Sequence, residues 1–116
     1  MNKNQTIVKL RKICLRLPDA VETTNFGHPF FRFNKKPFCV YHGTEDEPAI
    51  AFKVLKNEAG IFLEDSRFYK TPYMHHNGWI SIHAKGKLDW EEIAELVKAS
   101  YDLTCARPAR KSARKT

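Results

Sequence analysis

The sequence has no long apolar run. Hydrophobic residues make up 42% of its 116 residues, but the longest apolar runs are only a few residues, far below the ~20 that a membrane-spanning helix needs. The first residues lead into a charged amphipathic stretch, which lacks the apolar segment of a secretory signal peptide. We therefore expect a cytoplasmic protein that does not enter the membrane.

Cysteines are few and irregularly spaced. The chain has three, Cys14, Cys39 and Cys105. An odd number without a CxxC pair argues against both a disulfide framework and a zinc knuckle. We expect reduced thiols, and Cys14 falls on the apolar stripe of a predicted helix, where a cysteine behaves as a small hydrophobic residue.

The signatures of common enzyme classes are absent. The sequence contains no glycine-rich phosphate loop, no GxSxG elbow and no HExxH motif. A Cys39 nucleophile would need a histidine base, and neither His28 nor His42 is predicted to lie directly opposite it. His75 and His76 are adjacent, whereas a chelating pair on a helix needs i, i+4 spacing. We predict no enzymatic activity, no cofactor and no metal site.

The net charge of +7 is concentrated at one end of the chain. Residues 105–116 contain five basic residues and no acid, so residues 1–104 are nearly balanced. The five are Arg107, Arg110, Lys111, Arg114 and Lys115. The length and the composition predict one domain over residues 1–104, followed by a basic tail over residues 105–116 that is disordered when free.

Two helices are predicted, one near each end of the domain. Apolar residues recur at helical spacing from Ile7 through Cys14, which predicts a helix over about residues 4–17 that ends before Pro18. The second helix begins after Asp89, which is a plausible N-cap with Glu92 three residues later. Leu88 can then pack on Ile93 as a hydrophobic staple.

A hairpin is predicted in the first half of the chain, with its turn over residues 34–37. If Phe33 pairs with Phe38, this pairing fixes which side chains of the two strands lie on the same face of the hairpin. Four residues are then predicted to share the face opposite the core side, which is either partly exposed or covered by another element: Phe30, Arg32, Cys39 and Tyr41.

Further strands are predicted over residues 49–54 and 79–83, from alternating apolar residues. Ile50, Phe52 and Val54 are expected to share one face. A helix interrupted by Gly60 is predicted over about residues 56–65, and a short helical turn over residues 65–71. Helices that flank a run of antiparallel strands predict an α+β two-layer sandwich, with helices on one face of the sheet.

The order of several segments resembles the MmcQ/YjbR family between about residue 15 and Leu103. The segments that carry the resemblance are Phe26 to Phe33 with Lys36-Pro37-Phe38, then Thr71-Pro72-Tyr73, Gly78-Trp79-Ile80 and Ser100-Tyr101-Asp102-Leu103. The resemblance implies a CyaY-like (frataxin-type) fold and a double-wing mode of DNA binding, with no catalytic site to carry over. Frataxins have an acidic first helix, whereas this one is basic, so iron binding is not expected.

The leading hypothesis is therefore a DNA-binding domain with a basic tail of nonspecific affinity. Lys9, Lys12 and Arg16 form a basic stripe on the first helix, either as a solvated face or as a phosphate contact. The candidate contacts are Lys9, Lys12, Arg16, Arg32, Lys35, Lys36, Lys53 and the tail residues Arg107, Arg110, Lys111, Arg114 and Lys115. The alternative is a protein-interaction or small-ligand-binding domain that uses the face of Arg32, Cys39 and Tyr41.

Overall fold

Two helices, one near each end of the chain, pack on one face of a six-stranded antiparallel sheet. The structure is a computed structural model that describes residues 3–72, 74 and 78–105. The predicted α+β two-layer sandwich is confirmed. The elements are α1 (Lys3–Leu15), β1 (Ala20–Asn25), β2 (His28–Phe33), β3 (Lys36–Gly43), β4 (Pro48–Lys53), a 3₁₀ turn (Lys56–Glu58), α2 (Ala59–Leu63), β5 (Phe68–Lys70), β6 (Trp79–His83) and α3 (Trp90–Cys105). Lys3 and Asn4 are described by their backbone alone.

The strands lie in the order β1-β2-β3-β4-β6-β5, and every neighbouring pair is antiparallel. Alternation along β4 sends Ile50 and Phe52 toward the helices, as predicted, where they pack with Val54. Leu10 of α1 and Val97 of α3 fill the other side of this core. The helix layer and one face of the sheet thus enclose a single apolar interior.

The pairing of β2 with β3 differs from the prediction. Phe33 pairs with Lys36, and Phe38 is the extra residue of a β-bulge between the Phe31 to Cys39 pair and the Arg32 to Pro37 pair. The predicted pairing of Phe33 with Phe38 is wrong, because a two-residue loop closes the hairpin instead of a four-residue one.

The bulge also changes which side chains share a face. Cys39 lies in the core beneath the helices, fully buried with Cys14, and Tyr41 packs on the same side. Arg32 lies on the other face of the sheet, two residues from Phe30. The predicted face of Arg32, Cys39 and Tyr41 therefore does not exist, since an inserted residue inverts the alternation downstream of it.

Helix α3 is fastened to the sheet at this bulge. The Ser100 hydroxyl donates to the Phe38 carbonyl at 2.6 Å and accepts the Lys53 backbone N–H at 2.8 Å. Ladder pairing of β3 with β4 begins only at Cys39 and Phe52. The buried hydroxyl thus satisfies two strand groups that the bulge leaves without a ladder partner.

The helix boundaries follow the sequence signals. Asp89 Oδ1 accepts the backbone N–H groups of Glu91 and Glu92, both at 3.1 Å, so the predicted N-cap of α3 is confirmed. Helix α1 ends at Leu15, just before Pro18.

Two strands differ from the predictions for their segments. No strand is predicted for residues 20–25, yet β1 forms the sheet edge beside β2. The helical turn predicted over residues 65–71 is wrong, because Phe68–Lys70 pair with β6. Only the first residues of that segment turn, where the Asp65 carbonyl accepts the Phe68 N–H at 3.0 Å.

Candidate nucleic-acid interface

The turn between β2 and β3 presents two exposed lysines. Asn34 and Lys35 have φ angles of 51° and 73°, which is the two-residue type I′ geometry that matches the twist of the flanking strands. Lys35 lies in the turn and Lys36 begins β3, and both are exposed. The hairpin therefore ends in two adjacent cationic side chains.

Arg32 holds this turn in place. Its Nη1 donates to the Lys35 carbonyl at 3.0 Å, its Nε to Thr23 Oγ1 at 2.9 Å, and its Nη2 to Asn25 Oδ1 at 2.9 Å. The guanidinium also lies over the Phe30 ring, 5.1 Å from the centroid. Arg32 is thus engaged on three sides and ties the turn to β1.

The sheet brings other basic residues to the same end. Lys53 ends β4, which runs antiparallel to β3, so it lies beside the start of β3. Arg16 follows α1 just before Ala20, which pairs with Phe33 next to the turn. We call these four residues the basic end of the domain: Arg16, Lys35, Lys36 and Lys53.

Helix α3 also ends there. Tyr101 donates its hydroxyl proton to the Pro18 carbonyl at 2.5 Å, and its ring packs edge-on against Phe33 and Phe38. Cys105, the last residue of α3, therefore lies at the basic end. The five predicted tail contacts, Arg107, Arg110, Lys111, Arg114 and Lys115, lie outside the described residues.

The four cationic side chains of the basic end form no ion pairs in the part of the chain that the structure describes. The carboxylates of Asp19 and Asp102 nevertheless lie near Tyr101 at the same end. Asp102, on the last turns of α3, is bound instead by Lys98 at 2.9 Å.

Elsewhere the arginines are compensated. Arg11 binds both Glu22 oxygens, at 2.6 and 2.9 Å, and Arg67 bridges Asp65 and Glu92. Hydrogen bonds from Arg67 hold the pKa of Asp65 below its usual value. These two arginines are therefore neutralised, whereas some lysines outside the basic end, such as Lys12, form no ion pair within the described chain.

Two predicted contacts lie away from it. Lys9 lies in the first half of α1, with its Nζ 5.8 Å from the centroid of the Trp90 ring. It lines a cavity of about 640 Å³ together with Lys85 and the acidic residues Glu45 and Asp46 of the β3–β4 turn. Lys12 is exposed in the last turn of α1. The predicted basic stripe of α1 therefore reaches the basic end only through Arg16.

A second polar cluster lies on the sheet face away from the helices. His42 Nε2 is 2.8 Å from Ser81 Oγ, which is 2.8 Å from Thr71 Oγ1. The His28 ring lies edge-on to His42, with centroids 6.4 Å apart. Burial, and then the proximity of His28, lower the pKa of His42.

The sequence did not predict this cluster. His28 and His42 belong to strands β2 and β3. The alternation of side chains along the two strands indicates the cluster, because His28 lies two residues from Phe30 and His42 two residues from Val40, and Phe30 and Val40 pack on one face of the sheet. His75 and His76 lie outside the described residues, and among the rest no three metal-ligating side chains converge.

No helix of the described chain is long and apolar enough to cross a membrane. Similar folds occur among solved structures. A crystal structure of a Pseudomonas syringae protein superposes with a TM-score of 0.70 at 22% identity, covering 90% of this chain and 99% of that one. A Deinococcus radiodurans protein assigned to the domain family DUF419 gives a TM-score of 0.73 at 19% identity, covering 92% and 80%. At these identities the similarity shows the fold alone.

No curated protein matches the chain significantly in sequence. The sequence profile of the YjbR family, however, matches residues 15–103. That range includes every strand of the sheet and nearly all of α3. The resemblance noted in the sequence is thereby confirmed, and the chain belongs to the YjbR family, also called MmcQ/YjbR.

Proposed function

We propose that the protein binds DNA through the phosphate backbone, at the basic end of the domain. One observation carries the proposal: four cationic side chains that form no ion pairs in the described chain lie at the end of the sheet where α3 ends. Lysine and arginine that neutralise phosphates release condensed counterions, which drives nonspecific binding.

The architecture supports contact with the backbone rather than with base edges. Base readout in the major groove uses arginine, asparagine or glutamine forks, and the Arg32 fork is already bound to Thr23, Asn25 and the Lys35 carbonyl. Lysine contacts a phosphate as a compact point charge. The hairpin turn therefore supplies affinity and orientation but little sequence preference.

The salt dependence of binding provides the test. Each neutralised phosphate contributes about −0.9 to the slope of log affinity against log salt, so full engagement of the five tail cations would contribute about −4.5. Fluorescence anisotropy with a labelled duplex should compare the native chain with a variant in which serine replaces Arg107, Arg110, Lys111, Arg114 and Lys115. We expect a slope shallower by about 4 to 5 in the variant.

Equal slopes would remove the tail from the interface. Absence of duplex binding by the native chain at low salt would overturn the proposal itself.

The second candidate, a domain that binds a small ligand or a protein, loses its predicted site, because Cys39 and Tyr41 lie on the helix side of the sheet. It is supported by a different observation, the cavity of about 640 Å³ between Lys9 of α1 and Leu88 and Trp90. That cavity lies at the end of the sheet opposite the basic end. Ligand-induced NMR shifts confined to it, with no DNA binding, would favour the second candidate.

A further inference from the structure

The histidines of β2 and β3 form a cross-strand pair. Phe30 pairs with Val40, and two residues further along both strands His28 comes opposite His42 on the same face. Side chains paired in this way start from Cβ atoms about 5 Å apart. Both histidines lie on hydrogen-bonded strands, so the backbone fixes their separation.

The ring of His42 is oriented by a buried partner. Its Nε2 lies 2.8 Å from Ser81 Oγ, and Ser81 is fully buried and 2.8 Å from Thr71 Oγ1. In the tautomer in which Nε2–H donates to Ser81, the Nδ1 lone pair of His42 is available to a metal, as in metal sites where a second hydrogen bond fixes the histidine tautomer.

The surroundings admit a cation. Both rings lie on the sheet face away from the helices, whereas Arg11 belongs to α1 on the opposite face and is paired with Glu22 at 2.6 and 2.9 Å. Neither histidine is fully buried, so the pair can be reached from solvent.

We propose that His28 and His42 bind a divalent transition-metal ion of the zinc class, with water completing its coordination. Neutral imidazole suits zinc, copper and nickel, whereas magnesium and calcium prefer oxygen ligands. The site lies at the end of the sheet opposite the basic end, so it is independent of the DNA proposal.

Binding requires a small closure of the two rings. At zinc–nitrogen distances of about 2.0 to 2.1 Å, a tetrahedral ion bound by two imidazoles places their centroids about 5 Å apart. The observed separation is 6.4 Å with the ring planes at 87°. Rotation about the side-chain bonds of His28, the ring not held by Ser81, is expected to supply the difference.

Titration of the full-length protein with zinc chloride, followed by calorimetry, tests the site. We expect one equivalent to bind, and His28→Gln and His42→Gln each to weaken the affinity at least about ten-fold. Ser81→Ala should weaken it about ten-fold through loss of the oriented tautomer. His83→Ala is the matched control, because His83 lies on the same face but stacks on Tyr69, and it should leave the affinity unchanged.

Cobalt(II) provides a second readout that does not depend on stability. Its visible absorption should show tetrahedral coordination in the native protein and in His83→Ala, and should be lost in His28→Gln. Thermal melts of the zinc-free variants verify folding. Zinc affinity unchanged in both His28→Gln and His42→Gln would overturn the proposal, as would binding that is lost only when His75 and His76 are replaced.

Discussion

At the scale of single residues, Ser100 shows how one hydroxyl can join two layers. It lies in α3, is fully buried, and bonds to the two strand groups left unpaired by the bulge at Phe38. A buried polar group that loses its partner costs about 1 to 3 kcal/mol. Removing the hydroxyl leaves both the Phe38 carbonyl and the Lys53 N–H without that partner.

We therefore expect Ser100→Ala to lower the free energy of unfolding by about 2 to 3 kcal/mol. Urea unfolding followed by circular dichroism measures the loss. The same substitution at the exposed Ser66 is the control and should change stability by less than about 0.5 kcal/mol. A loss at Ser100 no larger than that at Ser66 would contradict the bridging role.

Single residues also account for what the sequence could not predict. Nothing in the pattern from Phe30 to Tyr41 distinguishes a regular hairpin from one with an extra residue at Phe38, because both leave apolar residues to bury. Loop length sets the strand register, and the sequence did not reveal that the loop consists of Asn34 and Lys35 alone. The four-residue loop predicted instead placed Cys39 and Tyr41 on the wrong face of the sheet.

At the scale of elements, the β1–β2 hairpin contains an unfavourable turn. Phe26 and Gly27 have φ angles of 55° and 79°, a geometry that favours Asn-Gly. Phe26 is 93% exposed, so almost no packing offsets the strain of a bulky residue in the left-handed region.

Phe26→Asn is expected to stabilise the protein by about 1 kcal/mol, which corresponds to a rise in melting temperature of about 4 °C or more. Differential scanning calorimetry measures the shift. Phe26→Ala removes the same exposed ring, but alanine tolerates a positive φ less well than asparagine. Its melting temperature should therefore rise clearly less than that of Phe26→Asn. An equal rise in both variants would show that exposure of the ring, and not backbone strain, was responsible.

The elements with strong local signals were predictable. Pro18 and the Asp89 cap marked the ends of the two long helices, and the alternation of β4 gave its buried face. Strands β1 and β5 were not predictable, because neither has the long apolar alternation of a central strand and both depend on pairing with a neighbour.

At the scale of the whole molecule, the two ends of the sheet differ in charge. The basic end has Arg16, Lys35, Lys36 and Lys53, whereas the opposite end contains the acidic turn of residues 45–47, where Glu47 pairs with Lys85. The sequence predicted the identity of the basic residues. It could not predict their grouping, because that depends on strand order and on where α1 and α3 end.

The most direct test of the proposed interface compares neutral substitutions at the two ends. Lys35→Gln with Lys36→Gln removes two charges from the basic end. Lys85→Gln with Lys87→Gln removes two from the opposite end, where both exposed lysines line the cavity of about 640 Å³. If the basic end contacts phosphates, the first pair should reduce the salt slope of duplex binding by about 1.8 and weaken binding, while the second leaves the slope unchanged. The same change in slope for both pairs would contradict the account, since the charge would then act without regard to its position.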